Sequence, residues 1–451
     1  MRNWVSERLF MFLFAFLLIV LSAGQINAEE QKLSLLSLSW SEQIKVRESW
    51  LEKKHNMILD MMRRNKIAMW IVVTEEFHPD PLVEFIAPPR PDVAGRDFFI
   101  FIDTREKGLK KIATASFTEE NLKRFFETSD EPKPAKELLP EIIKTYNPKD
   151  IALSIDGKRG PTRSLTRASY EFLVEILGKK TAKRFVSAEP LIEEYLDTRL
   201  PEEKPYFEQI AYLTNELGRR ALSNEVVIPG KTTVGDIRNW LYDQLGSYCV
   251  STWFQPDIRI QRKGMKDAFS RGFLAVALED TVIQPGDLLH LDFGITYMGL
   301  NSDWQKMAYV LLPGETDVPE GLKKGLANTN KLQDTICLVS KPGRLTTYIY
   351  DDAMAGMEKL GITAQVYSHA VGNHGHGIGP TIDFRAKKRD DTAKGKRLRA
   401  GSYFAIELNT KMKLPEWDNQ EICIMEEDSA WLSDQGWVYF TPRQESFLLI
   451  K

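Results

Sequence analysis

The amino-acid sequence predicts an α+β protein: an α/β unit over residues 31–200, then a larger unit over 205–451 that mixes helix pairs with antiparallel strands. Three observations predict it. In the first part, short apolar runs alternate with helical stretches. At residue 200, "DTRLPEEKPYFEQ" places two prolines and clustered charge between the parts. In the second, helical segments are followed by alternating apolar runs of the antiparallel kind. The 451 residues are 43% hydrophobic and 27% charged, enough for two or three folded cores. A net charge of −3 without long like-charge runs argues against a nucleic-acid partner.

Residues 1–28 stand apart. Arg2 and Arg8 precede "LFMFLFAFLLIVLSAG", and "INA" precedes Glu29. This reads as a secretory signal peptide cut after Ala28, and places the mature protein in a secreted or periplasmic setting. The apolar run, about 15 residues, is short for a ~20-residue spanning helix, so a retained membrane anchor is the second reading. After cleavage no membrane partner is expected. "SWSEQIKVRESWLEKKHNMILDMMRRNKI" is charged and helical in period. "AMWIVV", "RDFFIFID" and "DIALSID" read as strands, and "TEENLKRFFET", "AKELLPEIIKTY" and "SYEFLVEILG" as helices. His55 and His78 read as surface residues. Cys249, Cys337 and Cys423 are widely spaced and read as small hydrophobes.

Beyond residue 200 come a long helix from "PYFEQ" and a second in "TTVGDIRNWLYDQLG", where Thr233 and Asp236 have capping-box spacing. "FLAVAL" reads as a strand. "LLHLDFGITYMGLNSDWQKMAYVLL" reads as a strand, a connection and a returning strand, with Asp292 and Asp303 on the two arms. Strand-borne aspartates are costly, and two facing carboxylates repel unless a cation lies between them. Glu407 in "SYFAIELNT" and Glu427 in "EICIMEEDSAW" repeat the pattern, and "HAVGNHGHGIGPTID" adds three histidines among glycines. These groups fall within 136 residues and favour one composite metal site. Of Glu421, Glu426 and Glu427, strand alternation places the first and last on one face.

The C-terminal half resembles the pita-bread metallopeptidases: aminopeptidase P, prolidase and methionine aminopeptidase. The resemblance rests on "DFG" at Asp292, "SDWQK" at Asp303, "HGHGIG" at His376, "AIELN" at Glu407 and "EEDSAWLSDQG" at Glu427. It implies a pita-bread fold over residues 205 to 445 and a creatinase-like accessory domain before it. It also implies two divalent ions (Mn, Co, Zn or Fe) held by Asp292, Asp303, His376, Glu407 and Glu427. Glu427 is preferred to Glu421 because the turn glycine, Gly436, follows it by nine residues. The implied activity is hydrolysis of small peptides, Xaa-Pro peptides among them, by a metal-bridged hydroxide with Glu407 as general base. A homodimer is the oligomer considered.

Two features depart from the family. Its accessory substrate histidines are replaced by Ala275 and by Asp383. His290 and His374 are the candidate substitutes as substrate-binding or proton-shuttling groups, and His369 reads as structural. Lys306, three after Asp303, reads as supporting the site or as surface. The missing histidines leave a second functional reading, a catalytically weak or inactive binding protein on the same scaffold. A metal-free hydrolase is disfavoured, because four unshielded carboxylates would repel one another.

Overall fold

The structure, a computed structural model, describes residues 33–451 apart from 90–92, 94, 115–119, 129–132, 267–268, 271–272 and 386–395. The expected signal peptide lies outside the described residues. Among those residues no helix is long and apolar enough to cross a membrane.

The first unit is a five-stranded sheet: β1 (Met69–Glu75), β2 (Arg96–Asp103), β3 (Leu109–Ala113), β4 (Ile151–Leu153) and β5 (Phe185–Ser187). The order is β3-β2-β1-β4-β5. β1 runs antiparallel to β2 and parallel to β4. The apolar runs are nearly continuous because both faces are covered. Met69, Ile71 and Val73 face one core with Leu139 and Leu173, while Trp70 and Val72 face another with Ile58 and Leu191. His55 belongs to this second face and is not a surface residue. It is buried among Phe101, Phe125 and Phe126, with Nε2 2.8 Å from the Ile86 carbonyl. Burial, with the Lys111 ammonium beside it, pushes its pKa down to about 3.

The second unit begins with helices Lys204–Ala221 and Val234–Ser247. The expected capping box is formed: Asp236 N donates to Thr233 Oγ1 and Thr233 N to Asp236 Oδ2. Its strands are β6 (Asp257–Gln261), β7 (Phe269–Ser270), β8 (Phe273–Leu274), β9 (Leu288–Asp292), β10 (Thr296–Tyr297), β11 (Leu300–Asn301), β12 (Trp304–Val310), β13 (Thr363–Ala370), β14 (Thr381–Asp383), β15 (Tyr403–Leu414), β16 (Gln420–Ser433), β17 (Gly436–Tyr439) and β18 (Leu448–Ile450). Nine of them form one sheet along β14-β13-β15-β16-β12-β9-β6, with β17 on β16 and β18 on β12. Helices Glu320–Val339 and Thr346–Lys359 cover one face. The expected "FLAVAL" strand shrinks to Phe273–Leu274, and Cys249 is exposed with φ 53°, unlike the expected buried hydrophobe. Glu427, which the sequence pattern places at the end of its strand, lies in the middle of β16.

Candidate metal centre

β9, β12, β15 and β16 lie side by side, and this sets the site. Cross-strand register puts Asp257, Asp292, Gln305, Glu427 and Glu407 in a single row across five strands. Side chains opposite one another on one face have Cβ atoms roughly 5 Å apart, so this row is a line of facing acids. Asp303 precedes Gln305 by two residues and joins the same face. Asp292, Asp303, Glu407 and Glu427 therefore converge. Glu421 is exposed, away from them, and Glu426 is buried on the other face of β16.

The imidazole in this cluster is His369, not His376. His369 Nε2 stands 3.6 Å from each of Asp303 Oδ2, Glu407 Oε2 and Glu427 Oε1. Its Nδ1 lies 2.9 Å from the Ala370 carbonyl, which can only accept, so Nδ1 carries the proton and the Nε2 lone pair points at the acids. His369 Nε2, Asp292 Oδ1 and both carboxylate oxygens of Glu427 are buried without a hydrogen-bond partner. Orphaned buried groups of this number need an explanation. Two donor sets result, Asp303–His369–Glu427 and Asp292–Glu407–Glu427, each with ligand atoms within 4.8 Å of one another. Donors with ~2.1 Å arms to a tetrahedral ion stand roughly 3.5 Å apart, so the His369 spacing fits a divalent cation. Burial and mutual repulsion push Asp292, Asp303 and Glu427 well above the usual carboxylate range.

His376, expected as a ligand, lies at the rim. It is exposed, its ring 4.8 Å from His369 and 5.1 Å from Trp253. With Trp253, His374, Phe85 and Glu84 it lines a pocket of about 480 Å³. Glycines shape the turn beside it. A Cβ at Gly375 would lie 2.0 Å from the Trp253 ring, and one at Gly377 2.2 Å from the Ala370 carbonyl oxygen. The first unit braces this turn: Phe85 packs on His374, and Arg199 donates to Asn373 Oδ1 at 2.6 Å.

His290, a substitute considered for the missing histidines, is fully buried under the sheet and does not reach the pocket. Burial and the Arg259 guanidinium push it down to about 3, so it is neutral. Its Nε2 lies 2.9 Å from Gln305 Oε1. His374 has φ 62° and faces Phe85. Asp383, assigned to the second accessory position when His376 is taken as the ligand, is tied to Arg385 Nη2 at 2.6 Å; counted from His369, that position falls on His376. Lys306 is buried, donating to Asp428 Oδ1 at 2.6 Å and to the Glu427 carbonyl at 3.2 Å, so it supports the strand that carries Glu427. Sequence reading missed His369 as the inward imidazole, Gln305, Asp257 and the Trp253 wall. The polar residue ending the alternating run "AQVYSHA" was the available signal for His369.

The model for metallopeptidase family M24 matches residues 249–436, the stretch that carries all of these groups. Over that stretch the chain is similar to this family. No curated protein matches the sequence. Solved structures similar to this chain include an X-Pro aminopeptidase from Thermotoga maritima MSB8, 15% identical over 86% of this chain and 99% of that one, with a TM-score of 0.63. An Xaa-Pro dipeptidase from Bacillus anthracis is 15% identical over 88% and 99%, with a TM-score of 0.64. A prolidase from Pyrococcus furiosus is 17% identical over 86% and 99%, with a TM-score of 0.58. These likenesses span both units and show a shared fold, the pita-bread domain with an α/β domain before it.

Proposed function

We propose that this protein is a divalent-metal-dependent peptidase that cleaves short peptides, with Xaa-Pro bonds as the first class to test. The observation that carries the reading is the unpaired His369 Nε2, 3.6 Å from three carboxylate oxygens in a buried cluster. Asp303, Glu407, Glu427 and His369 would hold the ion, with Asp292 beside them. When bound, a divalent ion supplies a Lewis acid and lowers the pKa of a water that attacks the peptide carbonyl. Glu407 is the general base. Its side chain is 14% exposed against 4% for Asp303 and 1% for Glu427, so of the carboxylates around His369 it is the one that substrate can meet. Gln305 donates to its Oε1, which holds the carboxylate in place for taking a proton and passing it to the leaving amine. His376 takes the substrate-facing place that Ala275 and Asp383 leave empty, because it is the exposed imidazole nearest the cluster. Residues 1–28 support export of the mature protein.

The test is turnover of an Xaa-Pro peptide panel by purified protein supplied with Mn²⁺ or Co²⁺. Hydrolysis that a chelator abolishes and metal restores supports the proposal. Metal-loaded protein that cleaves no peptide overturns it.

A further inference from the structure

Gln305 is the one uncharged member of the row Asp257–Asp292–Gln305–Glu427–Glu407. It lies in the middle, where its neighbours are acids on both sides. Its Nε2 is 2.5 Å from Glu407 Oε1 and 3.2 Å from Asp292 Oδ2. Its Oε1 is 2.9 Å from His290 Nε2. Only one amide orientation satisfies these contacts. The reverse would set a carbonyl oxygen against the two carboxylates, acceptor against acceptor. The carboxylates thus fix the amide, and His290, fully buried, holds its oxygen from behind with Nε2–H.

A pair of N–H groups between two carboxylates does part of what a cation would do there. It also occupies lone pairs and space that a cation would need. The two donor sets are therefore unequal. The Asp303–His369–Glu427 set has an unpaired imidazole nitrogen turned inward, while the unpaired Glu427 oxygens are shared by both sets. The Asp292–Glu407–Glu427 set has no nitrogen ligand, and Gln305 donates to one oxygen on two of its three members, Asp292 Oδ1 staying unpaired. At the far end of the row, Arg259 neutralises Asp257 through contacts of 2.6 and 2.9 Å to Oδ2. The acid-only half is thus supplied with donors by the protein itself.

We infer that the centre holds one tightly bound divalent ion, at His369, Asp303, Glu407 and Glu427, and that Gln305, held by His290, closes the acid-only half to a second ion. This rests on the metal-dependent reading above and departs from the two ions that the family resemblance implied.

The test uses the full mature protein, loaded with Mn²⁺ and desalted, and reads metal content and the Mn²⁺ electron paramagnetic resonance spectrum rather than activity. Wild type should retain one equivalent and show an isolated-ion spectrum. Gln305→Ser, which removes the donor and opens the space, should take up a second equivalent and show the spectrum of an exchange-coupled pair. His290→Phe, which leaves the amide without its anchor, should move part way in the same direction. If Gln305→Ser does not fold, Gln305→Ala serves in its place. Two equivalents with a coupled spectrum in wild type would overturn the inference. So would one equivalent in every variant at Gln305. A wild type that retains no ion at all would overturn the metal-dependent reading itself, a distinguishable failure.

Discussion

The histidine assignment has a sharp consequence, because sequence and geometry point to different residues. His369→Ala removes the imidazole that stands 3.6 Å from Asp303, Glu407 and Glu427, and leaves three carboxylates around the ion. Losing a partner that merely orients a ligand costs roughly 10–100-fold in metal affinity, so losing the ligand should cost at least ~100-fold. Metal at a hundred times its Kd stabilises a fold by about 2.7 kcal/mol, and by about 0.4 kcal/mol once Kd rises a hundredfold at the same concentration. The variant should thus forfeit about 2.3 kcal/mol of metal-linked stability. The assay is chemical denaturation with and without Mn²⁺. The difference between the two curves cancels the packing loss that the substitution itself causes. His376→Ala is the control: it should keep metal content and metal-linked stability while kcat/KM falls, since His376 stands at the rim beside Trp253. Metal lost from His376→Ala and retained by His369→Ala would refute the reasoning.

Three further outcomes follow from the same geometry. Asp292, Asp303 and Glu427 have folded pKa values raised above their unfolded ones, so their contribution is fully present below the unfolded carboxylate range and is lost as pH rises through the folded values. Metal-free protein should therefore be more stable near about pH 5 than about pH 8, with saturating Mn²⁺ flattening that slope; urea midpoints across pH check it, and a metal-free protein stabilised by rising pH would contradict it. Lys306→Met leaves Glu426 and Asp428 buried without their cation and should cost about 3–5 kcal/mol in a denaturation curve, more at high pH than at low. Gly375→Ala drives a Cβ into the Trp253 ring and should lower kcat/KM with metal content unchanged, because it displaces the rim and not the ligands; metal loss would show that the turn holds the ion.

Much of the architecture was written in local pattern. Alternating helices and apolar strands before residue 200, and acids set into apolar strands after it, are signals of period and cost that need no partner to read. The placement of Asp292, Glu407 and Glu427 on strands follows from that reading, and the structure draws them together with Asp303. His55 misled because a charged helix hides its inner face until the aromatic residues of β2 and helix Glu120–Phe125 close over it.

What the sequence determined by itself was the inventory: four carboxylates set in or beside apolar runs, a glycine-rich histidine turn, and the absence of histidine at positions 275 and 383. What only the tertiary structure decided was orientation. Which imidazole points inward depends on β13 pairing with β15 at His369 and Ala405, and on Trp253 wedging the turn so that His376 faces out. That Gln305 sits among the acids depends on a register across five strands. Strand register is set by non-local pairing, and no local stretch of sequence carries it.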